Sequence, residues 1–337
     1  MQRCKKGLFL VGILLLAVAM LVGCGSSAKT QGDTDYPKRA VTIIVPYAAG
    51  GGADMMARAT AAFLEKELKQ PFVVTIKAGA SGAVGQAELA RSKPDGYTIM
   101  ITSTGGCTLA PHMNDVGYTN KEFAPIAQIA DVPSIIATHK GAPYKTFKEL
   151  VDYAEKNPET KLTYGTSGTG SIHNVAMEGF VAGVGKKGLF KHLPFKGGSE
   201  AVTALLGQHS NLTVAIATEI IPQMNSGDFI PLAISAPARY PLTPNVPTLK
   251  ELGYKEDTAI WSTWYGFAAP AGTPPAIIQK LEAAIQKATQ DPAFIASFKN
   301  INQPIEFMGS KDFTAKWMKA YDQNKKIIEA AGMAPKK

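Results

Sequence analysis

The sequence predicts an α/β protein built mainly on parallel strands. Three observations carry that expectation. From Tyr36 onward, short β-branched runs alternate with stretches of helical periodicity. The alternation restarts near Thr146, and in each half a glycine-rich loop joins a strand to a helix. Once a leader is removed, the chain is long enough for two ordinary domains with their own cores.

The elements follow in order. Residues 41–45 (VTIIV) form a β-branched run that ends at Pro46, and 53–68 read as a helix with Met55, Ala59, Ala62 and Phe63 at helical spacing. Residues 72–76 return as a strand and 86–91 as a brief helix, before Asp95-Gly96 turns the chain into a strand over 97–102. Two extended segments, 123–129 and 134–139, mark a candidate crossing between lobes. Thr146 and Glu149 make a capping box for a helix ending near Glu155. A strand at 162–164 leads through a glycine-serine loop into a helix over 173–182, and 212–216 and 230–234 are further strands. Residues 262–268 (STWYGFA) are extended and offer a return crossing, with Trp261 and Trp264 on opposite faces, one toward a core and one bordering a cleft. Thr273 caps a proline-tolerant first turn for a helix to Thr289, and the last helix runs over 312–330 and stops at Gly332.

The first 27 residues decide where this body works. Arg3, Lys5 and Lys6 precede an apolar run over 8–22, then Leu21-Val22-Gly23-Cys24 and a polar Gly25-Ser26-Ser27. That is the layout of a secretory leader, and the run falls short of the ~20 apolar residues of a membrane span. The ending resembles a bacterial lipobox, in which the cysteine becomes the lipidated first residue. An ordinary cleaved signal and an uncleaved anchor remain the alternatives. Residues 1–23 are thus the expected lipoprotein signal, Cys24 the lipidation site, and 24–35 a small, polar, flexible linker. Acyl chains contribute about 0.8 kcal/mol per buried CH₂, enough for several to hold the body firmly at a membrane.

Composition excludes several classes. Of three cysteines, Cys4 leaves with the leader and Cys24 takes lipid, so Cys107 stands alone and no disulfide framework exists. Cys107 reads as a small apolar filler before it reads as a thiol nucleophile. Three of the charges behind the net +8 belong to the leader, and no basic block with interleaved aromatics offers a nucleic-acid face.

Two loops invite chemistry. Residues 46–54 (PYAAGGGAD) and 165–173 (GTSGTGSIH) each lead from a strand into a helix. Such a junction exposes unpaired N–H groups beside a partial positive charge, and glycine lets backbone approach a ligand, so an anion is received without arginine. The plain alternatives are a tight turn with Asp54 as N-cap, and Ser171 as a simple cap. Two more small-residue loops, 79–82 and 103–106, follow strands. The glycine spacing fits neither a dinucleotide fingerprint nor a Walker loop. No G-x-S-x-G elbow occurs, and five histidines show no metal-ligand spacing. His173 stands beside the second loop, either touching a ligand or packing and capping.

At these residues the chain resembles the substrate-binding subunits of tripartite tricarboxylate transporters, the Bug family. The resemblance covers 36–335 and rests on Tyr36-Pro37, the loop 45–54, Pro94-Asp95-Gly96-Tyr97, the segment 161–171, Phe195-Lys196-Gly197-Gly198, Asn245-Val246-Pro247-Thr248 and 264–274 (WYGFAAPAGTP). It implies a two-lobed periplasmic-binding-protein fold of the Venus-flytrap, type II-like kind with two interlobe crossings, residues 36–134 and 264–337 forming one lobe and 135–263 the other. It also implies a non-enzymatic, cofactor-free, monomeric receptor outside the cytoplasm. Such a receptor captures a small di- or tricarboxylate-like solute and delivers it to membrane permease subunits. A sensory lipoprotein or a secreted enzyme on a carboxylated metabolite are the other readings. Carried over, first-lobe contacts fall on Tyr47, Ala49, Gly51 and Asp54, with Ser103 and Thr104 nearby. Second-lobe contacts fall on Thr166, Ser167, Thr169, Ser171 and His173, with Ala215 to Thr218 behind. Many relatives have an acidic residue where Asn211 stands, which favours a purely anionic solute here. The segment Ala215-Ile216-Ala217-Thr218-Glu219 also departs from the commoner type.

Overall fold

A computed structural model describes residues 35–255 and 261–335. The expected signal, Cys24 and all of the linker but Asp35 lie outside the described residues. The body begins at Pro37. Strand β1 (Val41–Val45) enters helix α1 (Gly52–Leu68), then come β2 (Phe72–Ile76), α2 (Ala83–Ala90) and β3 (Thr98–Ser103). A single wide turn over Gly105–Leu109 and a short α3 (Ala110–Met113) precede the 17-residue β4 (Phe123–His139). The second half follows as α4 (Phe147–Lys156), β5 (Thr163–Thr166), α5 (Ile172–Gly183), β6 (Lys191–Pro194), α6 (Gly198–Leu206), β7 (Leu212–Ile216), α7 (Ala217–Asn225) and β8 (Phe229–Ser235). The chain returns through β9 (Ser262–Pro270), α8 (Pro275–Ala288), α9 (Pro292–Asn300), β10 (Met308–Gly309) and α10 (Ser310–Ala331).

The fold is α/β, with strand order β2-β1-β3-β9-β4-β7-β5-β6 and β8 and β10 also pairing with β4. Parallel pairing is confined to β2-β1-β3 and to β6-β5-β7. Every pairing that involves β4 or β9 is antiparallel, which corrects the expectation of mainly parallel sheets. The reason is the crossing. A chain that leaves one half and returns must traverse the centre in both directions. β4 does this as one continuous strand: Phe123 to Pro133 pairs with β9, and Ser134 to His139 pairs with β7 and β8. The two extended segments read from the sequence are therefore one strand, with Pro133 at the change of partners.

Each half has its own core. Ile44, Met100, Trp264, Phe313 and Trp317 pack in the first, and Phe147, Tyr164, Phe180, Leu212 and Trp261 in the second. Trp261 and Trp264 thus anchor one core each, and both also line a cavity of about 790 Å³ with Thr104, Ile172 and Lys316. A small cluster joins the halves: Leu109 beside α3 meets Ile172 and Val175 of α5 and Ile328 of α10. Local signals behave as physics asks. The capping box at Thr146 and Glu149 forms, with Glu149 N–H donating to Thr146 Oγ1 at 3.2 Å. Gly332 ends α10 at φ 72°, in the left-handed region glycine tolerates. Thr273 does not cap α8; Pro274 holds that position and the Thr273 hydroxyl donates instead to Pro270 O at 2.7 Å.

Candidate ligand-binding cleft

Strand register fixes where a ligand can sit. β3 and β4 both run antiparallel to β9, so β3 points the same way as β4, whereas β7 opposes β4. The carboxyl end of β3, at Ser103, pairs with Tyr265, which pairs with Ala130 of β4. The carboxyl end of β7, at Ile216, pairs with Ser134 of β4. The parallel strands of the two halves therefore aim their carboxyl ends at each other across four residues of β4, about 13 Å at 3.3 Å per residue. Open α/β sheets bind ligands at carboxyl ends, and here two such ends face each other across one candidate crevice.

The first rim is built by the loops after β1, β2 and β3. Gly50 adopts φ 78°, which lets its N–H reach back to Asp54 Oδ2 at 2.8 Å. Asp54 is buried and also pairs with Arg58 at 2.8 Å, so its carboxylate shapes the loop, while Ala49 and Gly51 stand exposed. Tyr47 and Ser103, 56 residues apart, share a hydrogen bond of 2.5 Å between hydroxyls. The Tyr47 ring rests on Gly82, where a Cβ would come within 3.0 Å of its hydroxyl, so the third small-residue loop supports the first. Burial pushes the Tyr47 phenol up to about 12, partly offset by the Ser103 bond, and it stays a neutral donor. Thr104 faces another way: its hydroxyl accepts from Trp264 N–H at 3.1 Å and donates to Ser262 O at 3.3 Å, tying the rim to the return strand. Cys107 is fully buried, its thiol donating to Ser103 O at 3.0 Å, and desolvation raises its pKa well above the ordinary range, which leaves it inert.

The second rim follows β5, β6 and β7. Thr166 is enclosed, its hydroxyl held by His192 Nε2 at 2.8 Å and by Ser171 Oγ at 3.3 Å. Ser171 is the N-cap of α5, accepting from Asn174 N–H at 3.3 Å. Ser167 is half-buried and Thr169 exposed on the loop between them. Thr218 lies in the first turn of α7, and Ala215 is packed within the second half's apolar interior behind the rim. His173, in the first turn of α5, is buried with both ring nitrogens lacking a partner among the described residues. Desolvation lowers its pKa to about 4, so its ring is neutral. Ser171 and His173 make no nucleophile–base pair, since the Ser171 hydroxyl is engaged elsewhere.

Three features escaped the sequence. Asn211 stands at the amino end of β7, where its Oδ1 accepts from Thr163 N–H at 2.8 Å. That is the end of β7 away from the facing carboxyl ends. Glu219, in the first turn of α7, sits at the crevice end instead, its carboxyl against Gly198, where an added Cβ would collide with both oxygens. The loop from β6 into α6 thus joins the second rim. The usable signal for both was position: a strand's carboxyl end feeding a helix, as at the two loops already recognised.

Two facing half-sheets, linked by central crossing strands and rimmed by loops at their carboxyl ends, define a two-lobed, hinged solute-binding protein. A sequence profile described as "Tripartite tricarboxylate transporter family receptor" matches residues 56–333, and the chain belongs to that family. It is 32% identical to Protein BugT of Bordetella pertussis, over 85% of this chain and 87% of that one. Among solved structures it is similar to an R. palustris protein with adipate (27% identity, TM-score 0.78, 89% of this chain and 100% of that chain). It is also similar to MatC of Rhodopseudomonas palustris with bound malate (25% identity, TM-score 0.76, 87% and 100%). The family is one of solute receptors and not an enzyme class. Among the described residues no helix is long and apolar enough to cross a membrane.

Proposed function

We propose that this chain is a lipid-anchored extracytoplasmic receptor, tethered through Cys24, that captures a small di- or tricarboxylate-like anion and hands it to membrane permease subunits. The guest lies between a lobe of residues 36–134 and 264–337 and a lobe of residues 135–263. Main-chain N–H groups near Ala49, Gly51, Ser167 and Thr169, with the Tyr47 and Ser103 hydroxyls, receive its carboxylates. The observation that carries this reading is the opposed carboxyl ends of β3 and β7 across Ala130 to Ser134. Relatives of the same architecture with malate and adipate support the carboxylate class.

Charge-assisted hydrogen bonds contribute about 1.5–3 kcal/mol each, so several from two rims suffice for micromolar capture, near −8 kcal/mol. The test is a thermal-shift screen of the intact protein in detergent against di- and tricarboxylates, sugars and peptides. A guest at 100 times Kd adds about 2.7 kcal/mol, a rise of several degrees for a body this size. A response confined to sugars or peptides overturns the reading.

A further inference from the structure

Glu219 is the acid that the family reading leaves without a task. It follows the carboxyl end of β7 directly, its carboxyl lies against Gly198 at the start of α6, and it acts electrostatically on Tyr265, as Tyr47 of the opposite rim also does. One carboxyl thus stands beside the second rim and within electrostatic reach of the return strand.

Its surroundings offer no positive charge. The elements packed on α7 are β4, β7, β8 and α6. β7 and β8 carry no titratable side chain. On β4, Asp131 is paired with Lys316 at 2.5 Å and His139 stands at the far end, opposite Phe229. On α6 the charged group is Glu200, which accepts from the Lys196 backbone N–H at 3.1 Å, and the Lys196 ammonium exerts no resolved effect on Glu219. From the return strand comes one phenol, Tyr265, held neutral by burial. No hydrogen bond or ion pair engages the Glu219 carboxyl among the described residues, and burial alone lifts its pKa to about 7.

A second carboxylate brought to such a place cannot remain ionised beside the first; a shared proton is the stable arrangement. We propose that Glu219 binds the guest as a neutral acid, donating its carboxyl proton to a guest carboxylate oxygen, so that capture at or above neutral pH takes up one proton from solvent. The hydroxyls of Tyr47, Ser103 and Tyr265 supply neutral donors around the same guest. This rests on the carboxylate reading above and adds to it a specificity residue and a proton.

The test is calorimetric titration of the intact protein in detergent with malate, adipate, succinate and citrate, from pH 5.5 to 8.5, in buffers of differing ionisation heat. The wild type is expected to lose affinity by about tenfold per pH unit above neutrality, with proton uptake approaching one per guest at pH 8. E219Q keeps a donor and loses the charge, so its affinity should stay level across the range. If E219Q does not fold, the wild-type proton count in two buffers decides alone. Affinity independent of pH in the wild type, the same slope in E219Q, or proton release on binding each defeats the assignment while leaving a carboxylate receptor in place. Binding of no probe at any pH defeats the carboxylate reading, and this assignment with it.

Discussion

His173 and Glu219 are buried titratable groups whose neutral forms the fold prefers, and they make stability depend on pH in opposite directions. The folded-state pKa of His173 lies near 4, below the unfolded value near 6.5, as does that of His192. Their contribution is complete above pH 6.5 and is lost as pH falls toward 4, because the unfolded chain binds the extra protons. Glu219 has a raised folded pKa, so its contribution is present below its unfolded value and is lost as pH rises through 7. The substitution His173→Phe keeps ring volume and removes one titration. Denaturant unfolding at pH 7 and pH 4.5 should show the wild type losing about 2–3 kcal/mol more than the variant between those values. Equal losses in both proteins contradict the burial of an unpartnered imidazole. At this scale the sequence was partly legible. The glycine loops and the Tyr47 and Ser103 hydroxyls are where the motifs put them, and spacing cannot tell that Tyr47 and Ser103 touch. Asn211 and Glu219 show the limit more sharply. Both belong to the same strand-to-helix unit, and only strand direction decides which of them lies beside the facing carboxyl ends.

At the scale of elements, α5 and α10 meet at Gly179, where a Cβ would stand 2.5 Å from Ile327 Cγ2. Glycine costs a helix interior roughly 1 kcal/mol of propensity, and here its value is the close approach it allows. Gly179→Leu should force α10 away from α5 and destabilise the protein by about 1–3 kcal/mol, the usual range for overpacking. The double variant with Ile327→Ala should recover part of that loss in a thermal melt, since the two sites share one contact. Simple additivity of the two changes would refute direct packing. Elements with strong local codes were readable: β1, β2 and β7 have the limits their β-branched runs suggest, and the helix after Thr146 carries its capping box. The missed ones lacked such codes. α7 contains Pro222, α6 opens on Gly197-Gly198, and β6 is four residues with a proline at its end. Tertiary partners, more than propensity, hold these in place.

At the scale of the molecule, alternation of strands and helices announced an α/β protein, and the paired glycine loops announced two halves. Hidden from the sequence was the continuity of β4, because Pro133 looks like a break until its partners on either side are known. A hinged receptor needs halves that hold together weakly enough to move, and the link between them is small. Leu109, Ile172, Val175 and Ile328 form one apolar cluster from three elements, beside the contact of Gly179 with Ile327. Truncating a fully buried isoleucine to alanine costs about 2–5 kcal/mol where the site cannot collapse. Ile328→Ala is therefore expected to lower the melting temperature by several degrees. It should also weaken guest binding, because the closed arrangement, which must be populated for capture, loses part of what holds it. Each 1.4 kcal/mol lost from closure reads as a tenfold rise in Kd. Melting and calorimetry on the same variant separate the two effects. A lower melting temperature with unchanged Kd would mean that the halves rock about an intact cluster, placing the moving contacts at the rims alone.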